Sequence, residues 1–173
     1  LREEDTETEP GIATFCAGSF WDLEAAFRHI GGVLSTAVGF MGGTVSAPTY
    51  EQVCDGRTGH SEVVMIAYNP GIISFRELLV IFFNSHDPCS SNQGEYTGHQ
   101  YEPVIYYSGD QDRQLAEEYI REQVQAGHCP DGIVTRTRPA STFYRADECH
   151  QLFYEKMGCC YPVLFTGDPD DNG

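Results

Sequence analysis

Ser19 stands where a chain places an anion or a nucleophile. The apolar run from Ile12 to Cys16 predicts a buried strand, and Ala17-Gly18 allows a tight turn. Phe20, Leu23, Phe27 and Ile30 then recur at helical spacing and predict one buried stripe. A strand feeding a helix in this way leaves free backbone N–H groups at the helix start. With the positive end of the helix dipole they stabilise negative charge. A thiolate at that spot has a lowered pKa and is the better nucleophile for it. A serine hydroxyl needs an adjacent base, and this stretch supplies none. Ser19-x-x-Asp22 also fits a capping box, and spacing alone favours that role over chemistry. Cys16, three residues earlier, forms a C-x-x-S arrangement with Ser19 and is a second candidate redox centre. Glu62 is a further candidate. On a strand it shares a face with Val64 and Ile66, where loss of solvation raises a carboxyl pKa and keeps it protonated. Taken alone, the residues around it fit an ordinary solvated carboxylate better.

The elements that must position these groups can be read in order. After the first strand and helix, Gly31-Gly32 marks a stop, and residues 33–40 predict a second strand. Residues 42–59 are rich in Gly, Ser, Pro and Thr and read as a long loop, a kind of segment that is usually functional. A strand over residues 60–68 precedes the clearest helix, in which Phe75, Leu78, Leu79, Phe82 and Phe83 fall on one face, with Ser74 as cap. A polar loop over 89–101, a short strand over 104–107, an exposed helix over 110–125, an edge strand over 133–138 and a last helix over 147–157 follow. The order β-α-β-β-α-β, then helix, strand and helix, predicts an α+β two-layer sandwich with a ferredoxin-like core and added elements. Residues 1–10 are expected to be a disordered acidic arm, 11–157 one domain, and 158–173 a mobile tail.

Composition narrows the function classes. A formal charge of −16 leaves no basic stripe to neutralise phosphates, which argues against nucleic-acid and anionic-membrane partners. No apolar run approaches membrane-spanning length, and Leu1-Arg2-Glu3-Glu4-Asp5 is unlike a signal peptide, so a cytoplasmic location is expected; a monomer is expected as well, though no residue pattern speaks to the oligomeric state. Cysteines stand at 16, 54, 89, 129, 149, 159 and 160, an odd number with no C-x-x-C pair. That spacing argues against a zinc site and predicts free thiols. His60 and His86 read as structural.

Longer motifs go further. Gly18-Ser19-Phe20-Trp21 with Glu24-Ala25-Ala26-Phe27 resembles the Gly-Cys-Phe-Trp signature of the A-type peptide methionine sulfoxide reductases, with Ser19 at the position of the nucleophilic cysteine. Pro48-Thr49-Tyr50-Glu51-Gln52-Val53-Cys54, Gly59-His60-x-Glu62, His86-Asp87-Pro88, Gly98-x-Gln100-Tyr101 and Phe143-Tyr144-x-Ala146 continue the likeness, which runs from about residue 15 to 156. The resemblance implies the same α+β architecture. It also implies reduction of methionine S-sulfoxide, free or in oxidised proteins, through a sulfenic acid and a disulfide reset by a thioredoxin-like dithiol, with no metal or other cofactor. It maps the nucleophile position onto Ser19 and the proton donor onto Glu62. The methyl pocket falls on Phe20 and Trp21, and the hydroxyls that hold the sulfoxide oxygen on Tyr50 and Tyr101. The resolving thiol maps onto the tail, at Cys159 or Cys160, with Cys16 as rival. Cys54, which the resemblance includes without a catalytic role, is expected to be a buried thiol. Tyr96 and Cys149 depart from the family's usual aspartate and tyrosine. A serine at the nucleophile predicts an inactive chain, most simply one changed to trap substrate. A natural binding protein for oxidised methionine and a thiol-exchange protein using Cys16 are the alternatives.

Overall fold

The structure, a computed structural model, describes residues 8–157. The predicted arm falls mostly outside that range, and the predicted tail wholly so. Strand β1 (Gly11–Cys16) leads into helix α1 (Phe20–Arg28), which is followed by β2 (Val33–Met41), the short helix α2 (Tyr50–Cys54), β3 (Ser61–Tyr68) and α3 (Phe75–Asn84). A 3-10 turn at His99–Tyr101 precedes β4 (Val104–Tyr107) and α4 (Asp110–Gln125). The chain then forms β5 (Arg136–Pro139), β6 (Tyr144–Arg145), a 3-10 turn at Glu148–His150 and α5 (Phe153–Lys156).

The described strands form one sheet in the order β5-β4-β1-β3-β2-β6. The inner four, β4-β1-β3-β2, are antiparallel at each pairing, and the two β-α-β crossovers place α1 and α3 on the sheet. This is the α+β architecture that the element order predicts. Phe15 of β1 centres the main core, stacked at 4.6 Å on Phe82 of α3 and 5.6 Å from Phe27 of α1. All five apolar positions of the α3 pattern are buried. A smaller cluster of Cys16, Met41, Val63, Val104 and Tyr106 lies apart from this core. Since Val63 belongs to that cluster while Val64 and Ile66 belong to the main core, β3 is covered on both faces.

Three expectations are corrected. The long loop over 42–59 contains α2, nucleated by a complete capping box between Thr49 and Gln52. The last helix is broken. Gln151 is extended, and its side chain bonds the backbone of Val38 at 2.8 Å from both its oxygen and its nitrogen. It thus serves as a mimic of strand backbone beside β2, and Leu152 takes a left-handed conformation at φ 51° before α5 begins. The cysteines are not all free. Cys89 and Cys129 form a disulfide, with Cα atoms 5.4 Å apart, and only Cys16, Cys54 and Cys149 are free among the described residues. No motif announces that pair, because 40 residues separate its members in sequence.

Candidate active site at the turn between β1 and α1

Gly18 makes the turn at φ 64°, a conformation in which a side chain is strained, and its N–H donates to the Tyr101 carbonyl at 2.9 Å. That bond ties the loop before β4 to the start of α1. Ser19 is the N-cap of α1, only 3% exposed, and its Oγ accepts from the Trp21 N–H at 3.2 Å. The expected box with Asp22 gives way to other partners, since the Asp22 carboxylate accepts from the Tyr154 hydroxyl.

The next amide, of Phe20, donates to Glu62 Oε1 at 3.2 Å. Glu62 lies on β3 and is 1% exposed, and its Oε2 has no hydrogen-bond partner among the described residues. Burial pushes its pKa up from 4.5 to about 7, while the Phe20 amide and the nearby Tyr101 hydroxyl pull it partly back. A carboxyl with that affinity carries a proton for a large part of the time at neutral pH and can give it up.

Aromatic rings enclose the space beside it. Phe20 lies 6.1 Å from Trp21 and 5.9 Å from Tyr50, and Trp21 and Tyr50 are 5.9 Å apart. Tyr50 opens α2, while Tyr101 closes the 3-10 turn before β4. Burial raises the pKa of both phenols and the negative charge of Glu62 adds to it, so each keeps its proton and can donate it to a hydrogen bond. The structure therefore brings Ser19, Phe20, Trp21, Tyr50, Glu62 and Tyr101 to one place from four separate segments.

Two residues of this cage were not singled out from the sequence. His150 lies 4.3 Å from the Tyr50 ring and accepts at Nδ1 from Trp21 Nε1 at 3.3 Å, and Phe153 stacks on Trp21 at 4.2 Å. Both come from the broken last helix, and no local signal connects them with a tryptophan some 130 positions away. Cys54, expected to be buried, is exposed. Within α2 only Val53 is buried, which leaves the next position on the outer side, where its sulfur lies near the Tyr50 and Tyr101 hydroxyls.

Cys16 is fully buried and donates to the Gln100 carbonyl at 3.3 Å. Burial, and then the charge of Glu62, hold its thiol far above the ordinary range, the opposite of an activated thiol. Cys159 and Cys160 lie outside the described residues. His60 bonds the Gly43 amide at 3.0 Å and the Val45 carbonyl at 2.7 Å, a structural role. His86 is likewise held between the Phe82 carbonyl and the Thr135 hydroxyl, and burial lowers its pKa to about 4. No group of three or more His, Cys, Asp or Glu among the described residues is arranged to hold a metal. No described helix is long and apolar enough to cross a membrane.

An α+β scaffold with a protonatable carboxyl, neutral phenols and an aromatic cage around a helix start defines a binding protein or enzyme for a small group that is polar on one side and apolar on the other. Comparison with known proteins identifies which. The family model described as peptide methionine sulfoxide reductase matches residues 11–165. The peptide methionine sulfoxide reductase MsrA of Methanoculleus marisnigri is 50% identical over 147 residues, covering 84% of this chain and 90% of that protein. The MsrA of Methanothermobacter thermautotrophicus is 48% identical, with 83% and 86% covered. Among solved structures, reduced Mxr1 of Saccharomyces cerevisiae aligns with a TM-score of 0.79 at 33% identity, covering 88% of each chain. The chain belongs to the peptide methionine sulfoxide reductase family, in its MsrA branch.

Proposed function

We propose that this chain binds methionine S-sulfoxide at the turn between β1 and α1 and, with serine at position 19, holds it without turning it over. In this reading the methyl group lies in the cage of Phe20, Trp21 and Tyr50, where rings make favourable contacts with sulfur. The oxygen is directed at Glu62, Tyr50 and Tyr101. The observation that carries the reading is Glu62 Oε2: a buried carboxyl oxygen without a partner is costly unless a ligand completes it. The sulfoxide oxygen, a strong acceptor, fits a protonated carboxyl there.

A thiol at position 19 would complete the reaction. It attacks the sulfoxide sulfur while Glu62 supplies a proton to the oxygen. The S–O bond to substrate breaks, methionine leaves, and the cysteine keeps the oxygen as a sulfenic acid. A second cysteine condenses with it, releasing water, and a dithiol restores both thiols by exchange. The yeast relative Mxr1 has been solved in complex with Trx2, which supports a thioredoxin-like reductant for this chain too. The Ser19 hydroxyl retains the cap on α1 but has no base to activate it. The buried, deactivated Cys16 offers no substitute, which disfavours a thiol-exchange role.

The test is turnover of a methionine S-sulfoxide peptide with dithiothreitol, comparing the chain as given with Ser19→Cys. The expected result is binding without methionine formation by the first and reduction by the second. Equal rates, or reduction abolished by neither serine nor removal of Glu62, would reject position 19 as the nucleophile.

A further inference from the structure

A cavity opens on Ser19 between the helix start and the loop before β4. It holds about 570 Å³ and is walled by Gly18, Ser19, Asp22, Asp87, Gln93 and Tyr96, among others. None of Phe20, Trp21, Tyr50, Glu62, Tyr101 or His150 lines it. Ser19 thus lines a cavity to which neither the carboxyl nor the rings contribute. Although it borders the cavity, Ser19 is almost wholly covered. The cover is a tight hairpin in which Gln93 and Tyr96 exchange backbone hydrogen bonds at 3.0 Å each. The Gln93 side chain pins this hairpin to the Asp87 amide and to the Asp87 and Ser90 carbonyls, each at 2.8 Å. A Cβ on Gly18 would stand 3.2 Å from Gln93 and 3.7 Å from Tyr96, so the hairpin sits directly on the turn. The Tyr96 hydroxyl stands near the Ser19 side chain, and its ring lies 5.2 Å from Tyr101.

The chemistry of a thiol at this position calls for a second entrance. In the reading proposed above, its sulfenic acid has the oxygen on the Glu62 side. Displacement at such a sulfur brings the entering thiol in roughly opposite the leaving oxygen. The S–O bond breaks, an S–S bond forms, and the oxygen leaves as water after taking a proton. Glu62 and the phenols occupy one side, so the entering thiol needs the other. The cavity borders Ser19 and is lined by none of those groups, so it offers such an approach.

We propose, resting on the sulfoxide-reductase reading of the site, that this cavity is the port through which a resolving or reducing thiol reaches position 19, and that Tyr96 is its gate. Tyr96 acts through residue 19 and through access, so it is a positioning residue. The walls also specify the class of thiol. Asp22, Asp87 and Glu95 line the cavity and no Lys or Arg does, so neutral and cationic thiols are favoured over anionic ones.

The experiment reads access directly and does not depend on sulfoxide reduction. The Ser19→Cys protein is treated with thiosulfonate reagents that differ only in carrying a trimethylammonium or a sulfonate group. Each transfers its thiol half to the protein sulfur and releases sulfinate, and mapping of the peptide containing residue 19 gives the rate. The cationic reagent should label this position about tenfold faster at low salt, a preference reduced by high salt and by Glu95→Gln. Tyr96→Phe, which keeps the ring and removes the hydroxyl beside position 19, should speed both reagents severalfold. Tyr96→Ala should speed them further. The single-turnover rate of methionine formation by the Ser19→Cys protein reports the sulfoxide side of the site separately. Labelling that ignores both Tyr96 variants, or that prefers the anion, overturns the port. Failure to form methionine while labelling behaves as described would instead reject the reductase reading alone.

Discussion

Replacing Glu62 by Gln tests the electrostatics of the site without reference to turnover. The substitution keeps the shape and removes the ionisable proton. In the folded protein the Glu62 carboxyl has a pKa of about 7 against an ordinary 4.5, with burial as the main cause. The folded state therefore binds this proton more tightly than the unfolded chain does. The sign follows from linkage: the extra stability is fully present below about pH 4.5, declines as pH rises, and is gone once pH passes through the folded pKa near 7. A displacement of about 2.5 pH units corresponds to roughly 3 kcal/mol across that window. Glu24 and His86 also titrate with perturbed affinity, but they are common to both proteins and cancel in the difference. Urea unfolding of the chain and of Glu62→Gln between pH 4.5 and 8.5 should thus give a stability difference that moves by roughly 3 kcal/mol in favour of the glutamine protein as pH rises. Affinity for methionine sulfoxide should weaken above pH 7 in the chain as given and stay level in the variant, whose amide donates at any pH. A stability difference that is flat with pH would refute the raised pKa, and with it the case for Glu62 as an acid.

The remaining predictions are of three kinds. In the Ser19→Cys background, Glu62→Gln should lower kcat by about 10²–10⁴-fold, and a variant retaining nearly full kcat would exclude general-acid assistance. The Cys89–Cys129 bridge closes a loop of about 40 residues, which chain entropy values at about 4 kcal/mol. Calorimetry of Cys89→Ser should therefore show Tm lower by about 8–16 °C, and a missing 89–129 peptide in a non-reducing digest would reject the pairing itself. After one equivalent of sulfoxide, the thiol introduced by Ser19→Cys should be found linked to Cys159 or Cys160. Linkage to Cys16 would contradict its burial and its raised proton affinity.

Legibility in the sequence followed the range of the interactions. The α3 face, the strand-to-helix turn and the alternation that places Glu62 with Val64 and Ile66 are local patterns, and the structure repeats them. The alternation alone left open whether Glu62 was solvated, because burial depends on β3 being central, with β1 and β2 on its two sides. Short-range signals failed where a side chain bonds a distant backbone. Gln151 breaks the last helix by pairing with Val38, and that break is what brings His150 and Phe153 to Trp21. The five residues of α2 are too few to show a period, and a motif match carries no information on burial, so nothing local marks Cys54 as exposed. The disulfide joins loops whose spacing carries no motif.

The helix start explains how a serine can occupy position 19 with little consequence for the fold. The Trp21 amide needs an acceptor at the N-cap, and a hydroxyl oxygen provides one at 3.2 Å. A thiolate in the same place would receive the same N–H and the same dipole, and would repay them with a lowered pKa. The backbone geometry that caps the helix is therefore also the geometry that would activate the nucleophile. The rest of the site is indifferent to the exchange. Glu62 is bonded by the Phe20 amide, the rings by one another, and Tyr101 through its carbonyl by Gly18. Among the described residues, the Tyr96 hydroxyl comes near the residue 19 side chain from another segment. On the function proposed above, binding and reaction are thereby separable at one atom: oxygen at position 19 would leave a sulfoxide-binding site, and sulfur there would add the electron pair that attacks.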